Sequence, residues 1–170
     1  TPLTTADAAI TTLADRHARG LAAAAAGAPA EGLLELAQAV CEVVRYQPGA
    51  TTVADTAVTA LARGEGVCQD QAHVYLACCR ALELPARYVS GYLDAGHASD
   101  IASHAWVDVW LGDAVGWFGL DVTHRRPIDE RYCRLAVGRD YLDAAPVRGV
   151  RRGGGQETLE VHVSVSAAQQ

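Results

Sequence analysis

Apolar positions recur with a helical period through the first half of the chain and alternate through the second. Thr4 to Ala26 is Ala-rich and predicts a helix with Thr5 as its cap, punctuated by Gly27-Ala28-Pro29-Ala30. Leu33, Leu36, Ala37, Val40, Val43 and Val44 share one face of a second helix over 33–46, which Pro48-Gly49 stops. Thr52 and Asp55 have capping-box spacing and predict a helix running to Arg63. Gly64-Glu65-Gly66 then reads as a loop, and Val67 to Leu82 as a further helix that ends before Leu84-Pro85. From residue 86 the period changes to two. Ala86–Leu93, His104–Leu111, Val115–Asp121 and Thr158–Ser166 predict strands, with a hairpin turn at Gly112-Asp113. Helices first and an antiparallel sheet second is an α+β plan within one domain spanning 1–170.

Composition narrows the chemistry. The chain has no Lys, Asn or Met, and all 14 basic residues are Arg. That removes Schiff-base lysine, the Lys-bearing phosphate loop and any Cys-His-Asn triad. Without Met, residue 1 is not a translation start, so we expect a catalytic piece of a longer protein. A net charge of −6 argues against nucleic acid as a partner, and no apolar run reaches membrane-spanning length. Arg125, Arg126, Arg131 and Arg134 alternate with Asp129 and Glu130 and read as a solvated or salt-bridged stretch. Five Cys, two of them adjacent and none in a CxxC, make neither a disulfide framework nor a zinc site. They fit a reducing, cytoplasmic setting. No cofactor or metal is expected, and oligomeric state is open.

Three places carry chemistry. Cys68 follows Gly66-Val67 at a helix start, where the dipole and unpaired N–H groups favour a thiolate and can hold an oxyanion. His104 opens a strand, with Trp106 and Asp108 on the same face. Asp121 closes the next strand and should lie level with His104 across the hairpin. Each has a bland reading alone: a small buried thiol, a structural imidazole, a turn acid. Taken together, at spacings of 36 and 17 residues, they are the parts of a cysteine acyl-transfer site. His73, five residues after Cys68, lies about 140° around the helix and should not meet the thiol.

Gly66-Val67-Cys68-Gln69-Asp70-Gln71-Ala72-His73, Leu84–Leu93, Ser103-His104-Ala105-Trp106-Val107 and Gly116–Thr123 resemble, in that order, the bacterial transglutaminase-like superfamily core. Val137–Tyr141 and Pro146–Val150 are similar to the same branch, so the resemblance covers roughly residues 40–165. It implies a papain-like α+β fold, with the helix carrying Cys68 packed on an antiparallel sheet. It also implies Cys68 as nucleophile, His104 as general base and then acid, and Asp121 as the orienting acid. Relatives of this branch often have a Pro and an Asn after the Asp, where this chain has Val122-Thr123-His124, which puts the local turn in doubt. They commonly carry an N-terminal β-rich region before the core as well.

Around the triad, Tyr46 and Gln69 are candidates for a second oxyanion donor, and His97 and Trp106 for lining the substrate cleft. A metal reading of His97, Asp100 and His104 has loose spacing. The expected reaction is acyl transfer from a peptide or γ-glutamyl-type amide, with hydrolysis favoured over crosslinking. The alternatives are arylamine-N-acetyltransferase-like chemistry, although Gly64-Glu65-Gly66-Val67-Cys68 lacks that family's Arg-Gly-Gly-x-Cys, and a scaffold domain that has lost activity.

Overall fold

The computed structural model describes residues 1–26, 30–94, 103–145, 149 and 153. The chain starts with a 3-10 turn at Pro2–Thr4, and helix α1 runs over Ala8–Ala25. The cap is Asp7, not Thr5: its carboxylate accepts from Ile10 N–H at 2.9 Å. Helix α2, Glu31–Val43, crosses α1 where Gly20 meets Gly32; a Cβ on Gly32 would lie 2.3 Å from the Gly20 carbonyl carbon. The chain then leaves the helix earlier than its periodicity suggests. Arg45–Tyr46 forms a short strand, β1, parallel to β2 at Glu65–Gly66, in the stretch expected to be a loop.

Helix α3 spans Ala57–Arg63 and is capped by Thr56, whose hydroxyl accepts from Thr59 N–H. Thr52 and Asp55 do bond, Thr52 N–H to the carboxylate at 2.7 Å, but they close a turn ahead of the helix. Helix α4, Cys68–Ala81, is the centre of the molecule: Gln69 through Cys79 are all buried. An element packed on every side needs no amphipathic stripe.

The strands are β3 (Ala86–Leu93), β4 (Ser103–Trp110), β5 (Trp117–Asp121), β6 (Arg126–Pro127) and β7 (Tyr132–Gly138), followed by a short helix α5, Tyr141–Ala144. They make one antiparallel sheet in the order β6-β5-β4-β3-β7. Tyr88, Ala105, Val107, Val109, Leu120 and Val122 are buried from this sheet into the core shared with α4 and α1. The opposite face carries Trp106 and Asp108, both fully buried.

Of the two readings of 125–134, solvated or salt-bridged, the structure has ion pairs at Arg131–Asp129 and Arg134–Asp108, and it adds the strands β6 and β7. Arg126 pairs across β6, and Arg134 sits on β7 as a partner of Asp108. The strand expected at Thr158–Ser166 lies outside the described residues.

Candidate active site

The site is built at the start of α4. Asp70, at the third helical position, folds back so that its Oδ2 accepts from Val67 N–H at 2.8 Å and from Thr51 Oγ at 2.6 Å. This is half of a capping box, and it ties the 47–55 loop to the helix. Gly66 makes room for it, because a Cβ there would stand 2.7 Å from the Asp70 side chain. Cys68 thus occupies the first turn of α4; Asp70 and Gln71 N–H donate to Val67 O at 2.9 and 3.1 Å, which leaves the N–H groups of Cys68 and Gln69 without an acceptor in the helix. It is half-buried at the base of a cleft of about 290 Å3 that Tyr46, Gln69 and His104 also line.

His104 enters from the start of β4. Its Nε2 lies 2.7 Å from Asp121 Oδ2, and its ring lines the same cleft as the Cys68 thiol. The sequence pattern put Asp121 near the level of His104; the register Val107↔Leu120 sets it opposite Trp106, and it reaches His104 on the diagonal, two residues along β4 on the same face.

Burial works against the charged ring of His104. The hydrogen bond to Asp121 and the influence of the neighbouring Cys68 and Asp121 outweigh it and lift the pKa to about 9. Burial would likewise raise the Asp121 carboxyl, but the bonds from His104, the His124 backbone and Tyr132 hold it far below the usual carboxylate range.

Two residues of this network were not anticipated. His124 gives Nδ1 to Asp121 Oδ2 at 2.7 Å and its backbone N–H to Oδ1 at 3.0 Å. Tyr132 donates its hydroxyl to the same Oδ2 at 2.7 Å. The departure at Val122-Thr123-His124 therefore still forms a turn on Asp121, reinforced by Thr123 Oγ donating to Gln71 Oε1 at 2.8 Å. The departure itself was the signal that could have pointed to His124. For Tyr132 the only signal was a seven-residue strand hidden in an Arg-rich stretch.

His104, Asp121 and His124 bring three potential metal ligands within 4.8 Å of one another. Both imidazoles address one carboxylate oxygen at hydrogen-bond distance, which accounts for the cluster without an ion.

The remaining expectations divide. Tyr46 reaches the cleft because β1 pairs beside β2; its phenol is pushed up by burial and by the nearby Cys68. Gln69 lines the cleft too, but its amide donates to Val53 O at 3.5 Å, toward the 47–55 loop. Trp106 does not line the cleft. It is fully buried, edge-on to Tyr132 with ring centroids 5.5 Å apart, and lies beside His104 with centroids 6.4 Å apart. His97 and Asp100 lie outside the described residues. His73 is buried on α4, where its Nε2 accepts from Tyr141 N–H at 3.2 Å, away from the thiol. Cys78 and Cys79 are buried in the core, and burial pushes the Cys78 thiol up to about 12. Among the described residues, no helix is long and apolar enough to cross a membrane.

Comparison with known proteins gives the family and the fold. The chain is 42% identical over 127 residues to an uncharacterized protein of Mycobacterium leprae (strain TN), covering 71% of this chain and 44% of that protein. An uncharacterized protein of Mycobacterium bovis is 41% identical over 130 residues, covering 71% of this chain and 41% of its own length. The chain thus spans less than half the length of these relatives. A crystal structure of a proposed cysteine protease from Cytophaga hutchinsonii superposes with a TM-score of 0.61 at 28% identity, over 84% of this chain and 53% of that one. LapG from Legionella pneumophila shares the fold, with a TM-score of 0.52 at 13% identity over 76% of this chain and 70% of LapG. The sequence profile of the transglutaminase-like superfamily matches residues 16–122, from within α1 through the turn after β5, and the chain belongs to that superfamily.

Proposed function

We propose that this chain is a cysteine-dependent acyl-transfer domain that hydrolyses a peptide or related amide through Cys68, His104 and Asp121. The observation that carries this reading is the His104–Asp121 pair, 2.7 Å apart, opening on the same cleft that the Cys68 thiol lines at the start of α4. In the first step the Cys68 sulfur, its proton already held by His104, attacks the carbonyl carbon as a thiolate. The developing oxyanion faces the first-turn N–H groups of α4. Of the two side chains considered as a second donor, Tyr46 is the better placed, since the Gln69 amide is turned toward Val53. His104 then gives its proton to the leaving amine as the C–N bond breaks, and a thioester remains. Water attacks the thioester, loses a proton to His104 and releases the acid, and the thiol is restored.

Asp121 keeps the ring in one tautomer and stabilises it when charged. His124 and Tyr132 hold Asp121 in turn. A silent scaffold would give no reason for four donors on one buried acid beside a half-exposed thiol.

Alkylation by iodoacetamide near neutral pH tests the reading. Cys68 should react at least ten times faster than the exposed Cys133, and faster still than Cys41, Cys78 and Cys79; equal rates at Cys68 and Cys133 would remove the activated nucleophile. Fluorogenic peptide amides, offered with and without an added amine, then separate hydrolysis from transfer. Cys68→Ala should abolish both.

A further inference from the structure

Among the described residues that line the cleft around Cys68, His104 is the one side chain that carries positive charge, and the mouth is apolar. Tyr46, Val53 and Leu135 stand at the mouth, exposed by 53%, 52% and 50%. Large apolar side chains left that open next to a nucleophile mark a surface that something covers in use. Deeper in, Tyr88, Tyr92 and Tyr141 line the walls. Among the described lining residues there is no Asp, Glu or Arg. One polar group there is already taken: Ser90 Oγ donates to Ala144 O at 2.5 Å. The nearby guanidinium groups of Arg87 and Arg134 are committed to Asp108.

From this lining we infer that the acyl donor is a peptide whose residue at the scissile carbonyl carries a neutral, apolar or aromatic side chain. The inference rests on the proposed reaction and names its substrate class. Covering Leu135 and Val53 gains about 25 cal/mol per Å2 of apolar surface removed from water. A γ-glutamyl amide fits poorly, because among the described lining residues the one cation, His104, is already paired with Asp121, and a free α-carboxylate would lose water with no unpaired charge to receive it. The net charge of −6 adds a second, longer-range bias against anionic substrates. The volume of about 290 Å3 suits one such side chain and the reacting amide. The tyrosine hydroxyls offer hydrogen bonds to a neutral peptide backbone without demanding charge.

Irreversible chloromethyl ketone probes read this preference directly on the thiol. One series is N-acetylated and carries a Leu, Phe, Asp or Arg side chain; a further probe presents a γ-glutamyl group with its α-carboxylate free. Second-order labelling rates at Cys68, followed by mass spectrometry, should be at least tenfold higher for Leu and Phe than for the other three. An Asp, Arg or γ-glutamyl probe that labels as fast as Leu overturns the inference. So does a thiol that reacts quickly with iodoacetamide yet with none of the probes. If Cys68 is no more reactive than Cys133 toward iodoacetamide, the proposed reaction itself falls, and the substrate class with it. Leu135→Arg tests the wall: the Leu-over-Asp ratio should shrink at least threefold, and an unchanged ratio removes Leu135 from the subsite. Because Leu135 is half-exposed, this change does not threaten the fold.

Discussion

Two carboxylates are fully buried on neighbouring strands of the same sheet, and they are held by different partners. Asp108 on β4 accepts from Arg87 Nε at 2.9 Å and from both terminal nitrogens of Arg134. Arg87 in turn lies over the Trp117 ring at 4.0 Å. Asp121 on β5 accepts from two imidazoles, a phenol and one backbone N–H. Guanidinium donors stay charged at any pH a protein survives, so the Asp108 set can only be a fastener, and it ties β3, β4 and β7 together. Imidazoles can change protonation, so the Asp121 set can take part in a reaction cycle. Burial is common to both acids; the difference in use comes from the donors.

The comparison breaks most sharply under truncation. Asp121→Ala should lower amide turnover by about 10^3-fold, since it removes the group that orients and charges His104. Asp108→Ala should leave turnover per folded molecule within about threefold but lower the unfolding free energy by about 3 kcal/mol, measured in urea. That figure is at the low end for a broken buried pair because Arg87 and Arg134 are 33% and 37% exposed and can rehydrate. If the two variants exchange phenotypes, the division between fastener and reactive acid is wrong.

A smaller effect appears in pH dependence. His104 titrates at about 9 when folded against 6.5 for a free imidazole, so its contribution is complete below pH 6.5 and is lost as pH rises toward 9. Asp121 works the other way: its contribution is present above the free carboxyl's 3.8 and fades as the solution is made acid. Stability should therefore be greatest between these limits and fall by up to about 3 kcal/mol from pH 6.5 to 9. Asp121→Ala should flatten that fall, whereas Asp108→Ala should keep it. Equal slopes in all three proteins would mean that Asp121 does not hold the His104 proton.

Much of this architecture was legible in local pattern. The start of α4 at Cys68, the full length of β3 and the hairpin that brings His104 to Asp121 all rest on short-range signals: a glycine before a helix, alternation, a turn residue with positive φ at Gly112. What escaped notice depends on contacts distant in sequence. β7 pairs with β3 across some forty residues, and its exposed, Arg-bearing pattern resembles a solvated segment until its partner is known. Trp106 shows the same limit. Alternation gave its face correctly, but whether that face meets substrate or protein depends on Tyr132, which only the β7 pairing brings over it. Tyr46 was expected at the end of a helix and reached the cleft through two residues of parallel pairing.

The unbroken burial of α4 has a further consequence. A helix enclosed from Gln69 to Cys79 cannot loosen at its N-terminus without disturbing the whole interior. In the proposed reaction the ordering entropy of the Cys68 sulfur is therefore settled once, when the chain folds, and not again at each cycle. Motion that admits substrate and releases product then falls to the rim of the cleft, whose walls move around a fixed sulfur.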